Sequence, residues 1–120
     1  MANILIIDDK PGVRRLFAEE LAFAGYIVIS TGDDKSAREM IKSSKPDLVL
    51  LDLYMKGKHR WDLLLDIKKQ NPHLPVVIIT AVDSYEQDPR LALADAFLIK
   101  SFYFNELKQK IAEILKRKEV

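Results

Sequence analysis

The chain has 120 residues, 48% hydrophobic and 31% charged, which suits one compact domain around one core, so residues 1–120 are expected to form a single domain. Nineteen basic against eighteen acidic residues give no electrostatic case for direct nucleic-acid binding, the absence of cysteine excludes disulfides and thiolate metal sites, and having only two histidines, His59 and His73, argues against zinc. No apolar run approaches the roughly 20 residues of a membrane helix, and "MANILIIDD" turns acidic too early for a signal peptide, so a cytoplasmic protein without membrane insertion is expected.

Five short runs rich in Ile, Val and Leu read as strands: "NILII" (3–7), "YIVIS" (26–30), "DLVLL" (47–51), "PVVIIT" (75–80) and "AFLI" (96–99). Their unbroken apolar character predicts burial on both faces. Helical spacing fills the intervals. Val13, Leu16, Phe17, Leu21 and Ala24 form the first set, Ala37, Met40 and Ile41 the second, and Trp61, Leu64 and Leu65 the third. Gly25, Pro46 and Pro72 mark the helix ends. The fourth interval, "DSYEQDPRLALAD", contains Pro89, which costs about 3 kcal/mol inside a helix, so this helix should start late, at or near Pro89, or be irregular. Phe104, Leu107, Ile111, Ile114 and Leu115 define the last helix, and the basic residues of "KQKIAEILKRK" form its solvated face. Strict alternation predicts an α/β fold: a doubly wound, five-stranded parallel sheet in the flavodoxin-like order 2-1-3-4-5, with right-handed crossovers and helices on both faces.

In such a sheet, functional groups collect at the carboxyl ends of the strands. There the sequence places Asp8 and Asp9 after strand one, Asp52 after strand three, Thr80 at the end of strand four and Lys100 after strand five. With strands one and three adjacent, three carboxylates converge. At about 5 Å and an effective dielectric near 20, each ionised pair repels by roughly 3 kcal/mol, so cations are required. Lys100 offers one; a hard divalent ion such as Mg2+, which prefers oxygen ligands and retains waters, offers another. Each residue also has a plainer reading: Asp8 or Asp9 as a cap for the helix near Pro11, and Asp52, Thr80 and Lys100 as ordinary strand-end polar groups.

The paired acids "DD", the "LLDLYM" around Asp52, the "TA" at Thr80 and Ala81, and the "FLIK" ending at Lys100 together resemble the receiver domain of two-component response regulators, and the resemblance covers nearly the whole chain. It implies Asp52 as the phosphoacceptor for a phosphohistidine on a histidine kinase or histidine phosphotransfer protein. It further implies Mg2+ held by Asp9, Asp52 and the backbone carbonyl of Tyr54, with Asp8 acting largely through water. Lys100 and Thr80 would contact the phosphoryl oxygens. Thr80 and Phe97 would be the switch pair, altering a face made by the fourth helix, fifth strand and fifth helix for a downstream protein target. Phe97 reads equally well as a half-buried strand aromatic.

The sequence departs from the family pattern at several places. Lys56 and Arg60 stand where Pro and Gly are usual; as extra cations they would attract a phosphodonor or simply be solvated, and the solvated reading is preferred. Ser101 replaces the usual Pro after Lys100, which predicts a trans bond, since cis without Pro costs about 2.5 to 4 kcal/mol. Tyr54 and Val82, two residues after the acceptor and the threonine, carry no group to orient water, which predicts slow loss of phosphate. The competing reading is a phosphorylation-independent interaction module on the same fold. A flavin protein would want a Ser/Thr/Gly-rich loop in place of "DDKPGVRR", and an aspartate-based phosphatase a second acid where Tyr54 stands. No effector domain is expected after the last helix.

Overall fold

The side chains of the first strand alternate between two cores, and the remaining elements are arranged around that alternation. A computed structural model describes residues 2–55, 58–81, 88–100 and 104–118, of which 54, 55, 58, 59 and 118 are described by their backbone alone. In chain order the elements are β1 (Asn3–Ile7), α1 (Pro11–Phe23), β2 (Ile27–Thr31), α2 (Asp34–Ser44), β3 (Leu48–Asp52), β4 (Tyr54–Met55), β5 (Lys58–His59), α3 (Trp61–Gln70), β6 (Val76–Thr80), a 3-10 turn (Pro89–Leu93), β7 (Ala96–Ile99) and α4 (Asn105–Lys118). The main sheet is parallel throughout, in the order β2-β1-β3-β6-β7. This is the order expected from the sequence, with β6 and β7 as its fourth and fifth strands.

Leu5, Ile7, Val49, Leu51, Val76 and Ile78 face α2 and α3, while Ile4, Ile6, Leu48, Leu50, Val77 and Ile79 face α1 and α4. Successive strand residues point to opposite faces, so an unbroken apolar run serves both cores. Burial on both faces holds for β1, β3 and β6 but not for the edge strands. Ile27 opens β2 at 51% exposure and Ile99 ends β7 at 38%. An edge strand has a neighbour on one side only, which apolar content alone does not reveal.

The helices begin and stop where the sequence directs. Pro11 occupies the first turn of α1, and Gly25 follows it with φ of 103°, a left-handed geometry that glycine adopts without a Cβ penalty. Asp33 caps α2 by accepting from the Ser36 backbone N–H at 2.8 Å. Phe17 of α1 meets Phe104 edge to face at 5.1 Å, joining α1 to the start of α4. In α3 the buried face is Trp61, Leu63, Leu64 and Ile67. Leu65, expected on that face, is instead 49% exposed. It lies roughly 100° further round the helix than Leu64, and Leu63 on the other side takes the buried place.

The fourth interval becomes a 3-10 turn that starts at Pro89, in agreement with the late or irregular start expected from that proline. Asp88 caps it, accepting from the Arg90 side chain at 2.7 and 3.0 Å and from its backbone N–H at 2.9 Å. Those bonds hold the Asp88 carboxyl down to about 2. The Arg90 guanidinium also lies 4.3 Å from the centre of the Trp61 ring, a cation–π contact that ties the turn to α3.

Leu64 and Leu65 provide a direct test of the packing. Leu64→Ala should lower the unfolding free energy by about 2 to 5 kcal/mol, whereas Leu65→Ala should change it by about 0.5 kcal/mol or less, both measured by urea titration.

Candidate functional site

Register between β1 and β3 brings the acidic residues together. Asp47 accepts from the Asn3 N–H through its side chain at 2.7 Å and donates its own N–H to the Asn3 carbonyl at 2.7 Å, fixing the start of the two strands. Ile7 then lies beside Leu51, so the next residue on each strand, Asp8 and Asp52, emerges at the same edge. Both are almost fully buried, at 1% and 2% exposure. Carboxylate oxygens of Asp8, Asp9 and Asp52 all lie within 4.8 Å of one another. An all-carboxylate set at this separation matches the oxygen preference of a hard divalent cation.

Lys100, just beyond β7, reaches back across the end of β6 to this cluster. Its Nζ donates to Asp8 Oδ2 at 2.8 Å and to Asp52 Oδ2 at 3.0 Å, with the lysine side chain only 13% exposed. Thr80, buried to 1% exposure, ends β6 between Asp52 and Lys100, and its carbonyl accepts from the Lys100 N–H at 2.6 Å. The five residues selected from the strand ends therefore occupy one place.

Asp8 is fixed from several directions. Its N–H donates to the Thr31 carbonyl at 3.0 Å, and its Oδ1 accepts from the Lys10 N–H at 2.9 Å. The cap position of α1 belongs to Lys10, not to either acid, although Asp8 still satisfies one N–H of that turn. Arg14 Nη1 donates to the Asp8 carbonyl at 2.7 Å. Gly32 leaves room for this bond, since a Cβ there would stand 2.6 Å from Arg14 Nη1.

Lys10 is a member of the site that motif reading overlooked. Its Nζ lies 3.4 Å from Asp9 Oδ1 and 3.5 Å from Asp52 Oδ2. Partial burial works to lower its pKa, but the charges of Asp52, Asp9 and Asp8 together with a hydrogen bond to Asp9 outweigh this, and the net direction is upward. The available signal was adjacency: a lysine directly after the acid pair and directly before the Pro11 helix start has little freedom to leave.

Asp52 is followed at once by the short antiparallel pair β4–β5, in which Tyr54 faces His59 and Met55 faces Lys58. The Arg60 N–H donates to the Leu53 carbonyl at 2.7 Å, so Tyr54 and His59 form a non-hydrogen-bonded pair, whose own carbonyls point away from the partner strand. The Tyr54 carbonyl thus stays outside the hairpin ladder. Arg60, expected to be solvated, is instead paired with Asp34 at the start of α2 and lies 3.8 Å from Asp62, with its side chain 17% exposed. Opposite charges at the starts of two neighbouring helices draw it inward. Phe97 is partly buried against the core on the α2–α3 side, three residues before Lys100. Lys56, Val82 and Ser101, including the bond between Lys100 and Ser101, lie outside the described residues.

Residues 4–112 match the response regulator receiver domain family. The chain belongs to that family. Similar proteins include a probable transcriptional regulator ycf27 of Porphyridium aerugineum, 34% identical over 117 residues, covering 96% of this chain and 48% of the relative. Another is the alkaline phosphatase synthesis transcriptional regulatory protein PhoP of Bacillus subtilis, 30% identical over 121 residues and covering 98% and 50%. The chain spans about half the length of these relatives. Among solved structures, the response regulator TrrA of Thermotoga maritima, crystallised with Mg2+ and BeF, superposes with a TM-score of 0.89 at 33% identity, covering 95% of this chain and 99% of that one. TrrA in complex with the histidine kinase ThkA gives 0.88 at 34% identity, covering 96% and 99%. The protein is a receiver domain of two-component, phosphorelay signalling, which sets aside the flavin and phosphatase alternatives. Among the described residues, no helix is long and apolar enough to cross a membrane.

The cluster predicts a cost for losing its fixed cation. Lys100→Met should destabilise the domain at neutral pH by about 3 kcal/mol, because two buried carboxylates lose their ammonium partner. Urea unfolding of the parent and variant checks the loss.

Proposed function

We propose that Asp52 is the phosphoacceptor of this receiver domain and that Asp8, Asp9, Thr80, Lys100 and the Tyr54 carbonyl form its reaction site. The observation that carries the reading is the buried Lys100 ammonium shared by Asp8 and Asp52, at 2.8 and 3.0 Å, inside a three-carboxylate cluster. That arrangement aims positive charge at the point where a phosphoryl group would join Asp52. A carboxylate oxygen of Asp52 attacks the phosphorus of a phosphohistidine; the O–P bond forms as the N–P bond breaks, and the imidazole leaves with the electron pair and takes up a proton.

Lys100 pairs with the phosphoryl oxygens, releasing Asp52, which no longer carries its own negative carboxylate. Thr80 donates its hydroxyl to one of those oxygens. Asp9, Asp52 and the Tyr54 carbonyl, with Asp8 acting through water, would hold Mg2+, which would supply further neutralisation of the phosphoryl charge. The oxygen-only donor set supports this choice of ion, and so does the Mg2+ and BeF complex of the similar TrrA. The donor is a histidine kinase or a histidine phosphotransfer protein, a reading supported by the TrrA complex with ThkA. The setting is cytoplasmic.

For output, Thr80 moves toward the phosphoryl group and Phe97 turns further inward, changing the face made by the 3-10 turn, β7 and α4 that a downstream protein reads. The pairing of Arg60 with Asp34 supports an intact reaction site, since this departure from the family pattern is absorbed at the helix ends.

Incubation with Mg2+ and a small acyl phosphate, followed by intact mass, tests the assignment. The wild-type chain should gain the mass of one phosphoryl group and Asp52→Ala should not; no gain with either the small donor or a phosphorylated histidine phosphotransfer protein would favour the phosphorylation-independent module. In a second measurement, phosphorylated protein chased without donor should lose its label over minutes or longer rather than seconds, because Tyr54 and Val82 provide no carboxamide or carboxylate to orient the attacking water.

A further inference from the structure

Lys100 and Lys10 hold the same carboxylate cluster in different ways. Lys100 is 13% exposed and bonded to the two buried acids. Lys10 is 53% exposed and reaches Asp9 and Asp52 from outside at 3.4 and 3.5 Å. Asp9 and Asp52 are also the carboxylates assigned above to the metal. One ammonium and one divalent cation cannot occupy the space between the same two groups, and like charges at that separation repel. The cation with an open path to water is the one that yields.

We propose that Lys10 is a built-in competitor for the divalent cation. Its ammonium neutralises Asp9 and Asp52 before the metal arrives and is pushed outward as the metal binds. The inference rests on the Mg2+ reading given above. Among the described residues, three carboxylates and two ammonium groups leave one net negative charge in the cluster; without Lys10 two would remain, and the attraction for a divalent ion would be correspondingly stronger. Lys10 therefore weakens metal binding and raises the free Mg2+ concentration at which the site is half filled. The backbone anchors this role, because the Lys10 N–H is bonded to Asp8 Oδ1 at 2.9 Å and Pro11 follows it directly. The side chain pivots from a fixed base.

The test is calorimetric titration of MgCl2, at low ionic strength, into the wild-type chain and three variants. Lys10→Gln should bind Mg2+ about 3- to 10-fold more tightly than wild type, with the difference shrinking as salt is added. Lys10→Arg retains the charge and should stay within about twofold of wild type. Lys42→Gln removes one exposed charge from the last turn of α2, at the opposite end of the sheet, and controls for net charge. Equal affinities for wild type and Lys10→Gln would overturn the role of Lys10 while leaving the metal site standing, as would a matching gain in Lys42→Gln. Absence of Mg2+ binding in both wild type and Lys10→Gln would remove the metal reading itself, and the competitor with it.

Discussion

Three carboxylates held at the ends of buried strands are the constraint on which this molecule turns. Asp8 and Asp52 are carried to the sheet edge by strands that cannot shift register without exposing their apolar residues, so they cannot move apart to relieve their repulsion. Relief has to come from cations placed elsewhere in the chain. Lys100 comes from the far side of β6, and Lys10 from the mouth of α1. The parallel order β2-β1-β3-β6-β7 is what makes both reachable, because it sets β1 and β3 at the centre and turns every strand's carboxyl end the same way.

Arg60 shows how the same rules operate away from the cluster. A large cation stands where the family pattern usually has glycine, yet it does not disturb the acids. Asp34 and Asp62, both in the first turns of their helices, favour positive charge nearby and draw the guanidinium to themselves. The result is a link between the starts of α2 and α3. It uses charges that the amino-acid order scatters across 28 positions and only the fold assembles.

Much of this architecture was legible in the sequence because β1, β3 and β6 are buried on both faces and so are apolar at every position. The site was legible for the same reason: Asp8, Asp52, Thr80 and Lys100 stand out as polar residues at the ends of greasy runs. Features that depend on which neighbour an element lacks were not legible. The exposed ends of β2 and β7 reflect sheet order, and Leu65 faces solvent because Leu63 claims the core side of α3. The β4–β5 pair is two residues per strand, too short to show a period. Lys10 was missed because a lysine after two aspartates looks like any surface residue until Pro11 fixes where the helix starts.

The contact between Arg90 and Trp61 has an optical consequence. Trp61 is the single tryptophan of the chain, 6% exposed, with a guanidinium 4.3 Å from its ring centre. That guanidinium belongs to the 3-10 turn, on the face proposed to rearrange, while the indole belongs to α3, which follows β3 by way of the β4–β5 pair. Any displacement of the turn relative to α3 changes the field and polarity around one chromophore and no other of its kind. The domain thereby carries a native fluorescence reporter of the contact between the 3-10 turn and α3, readable without a label.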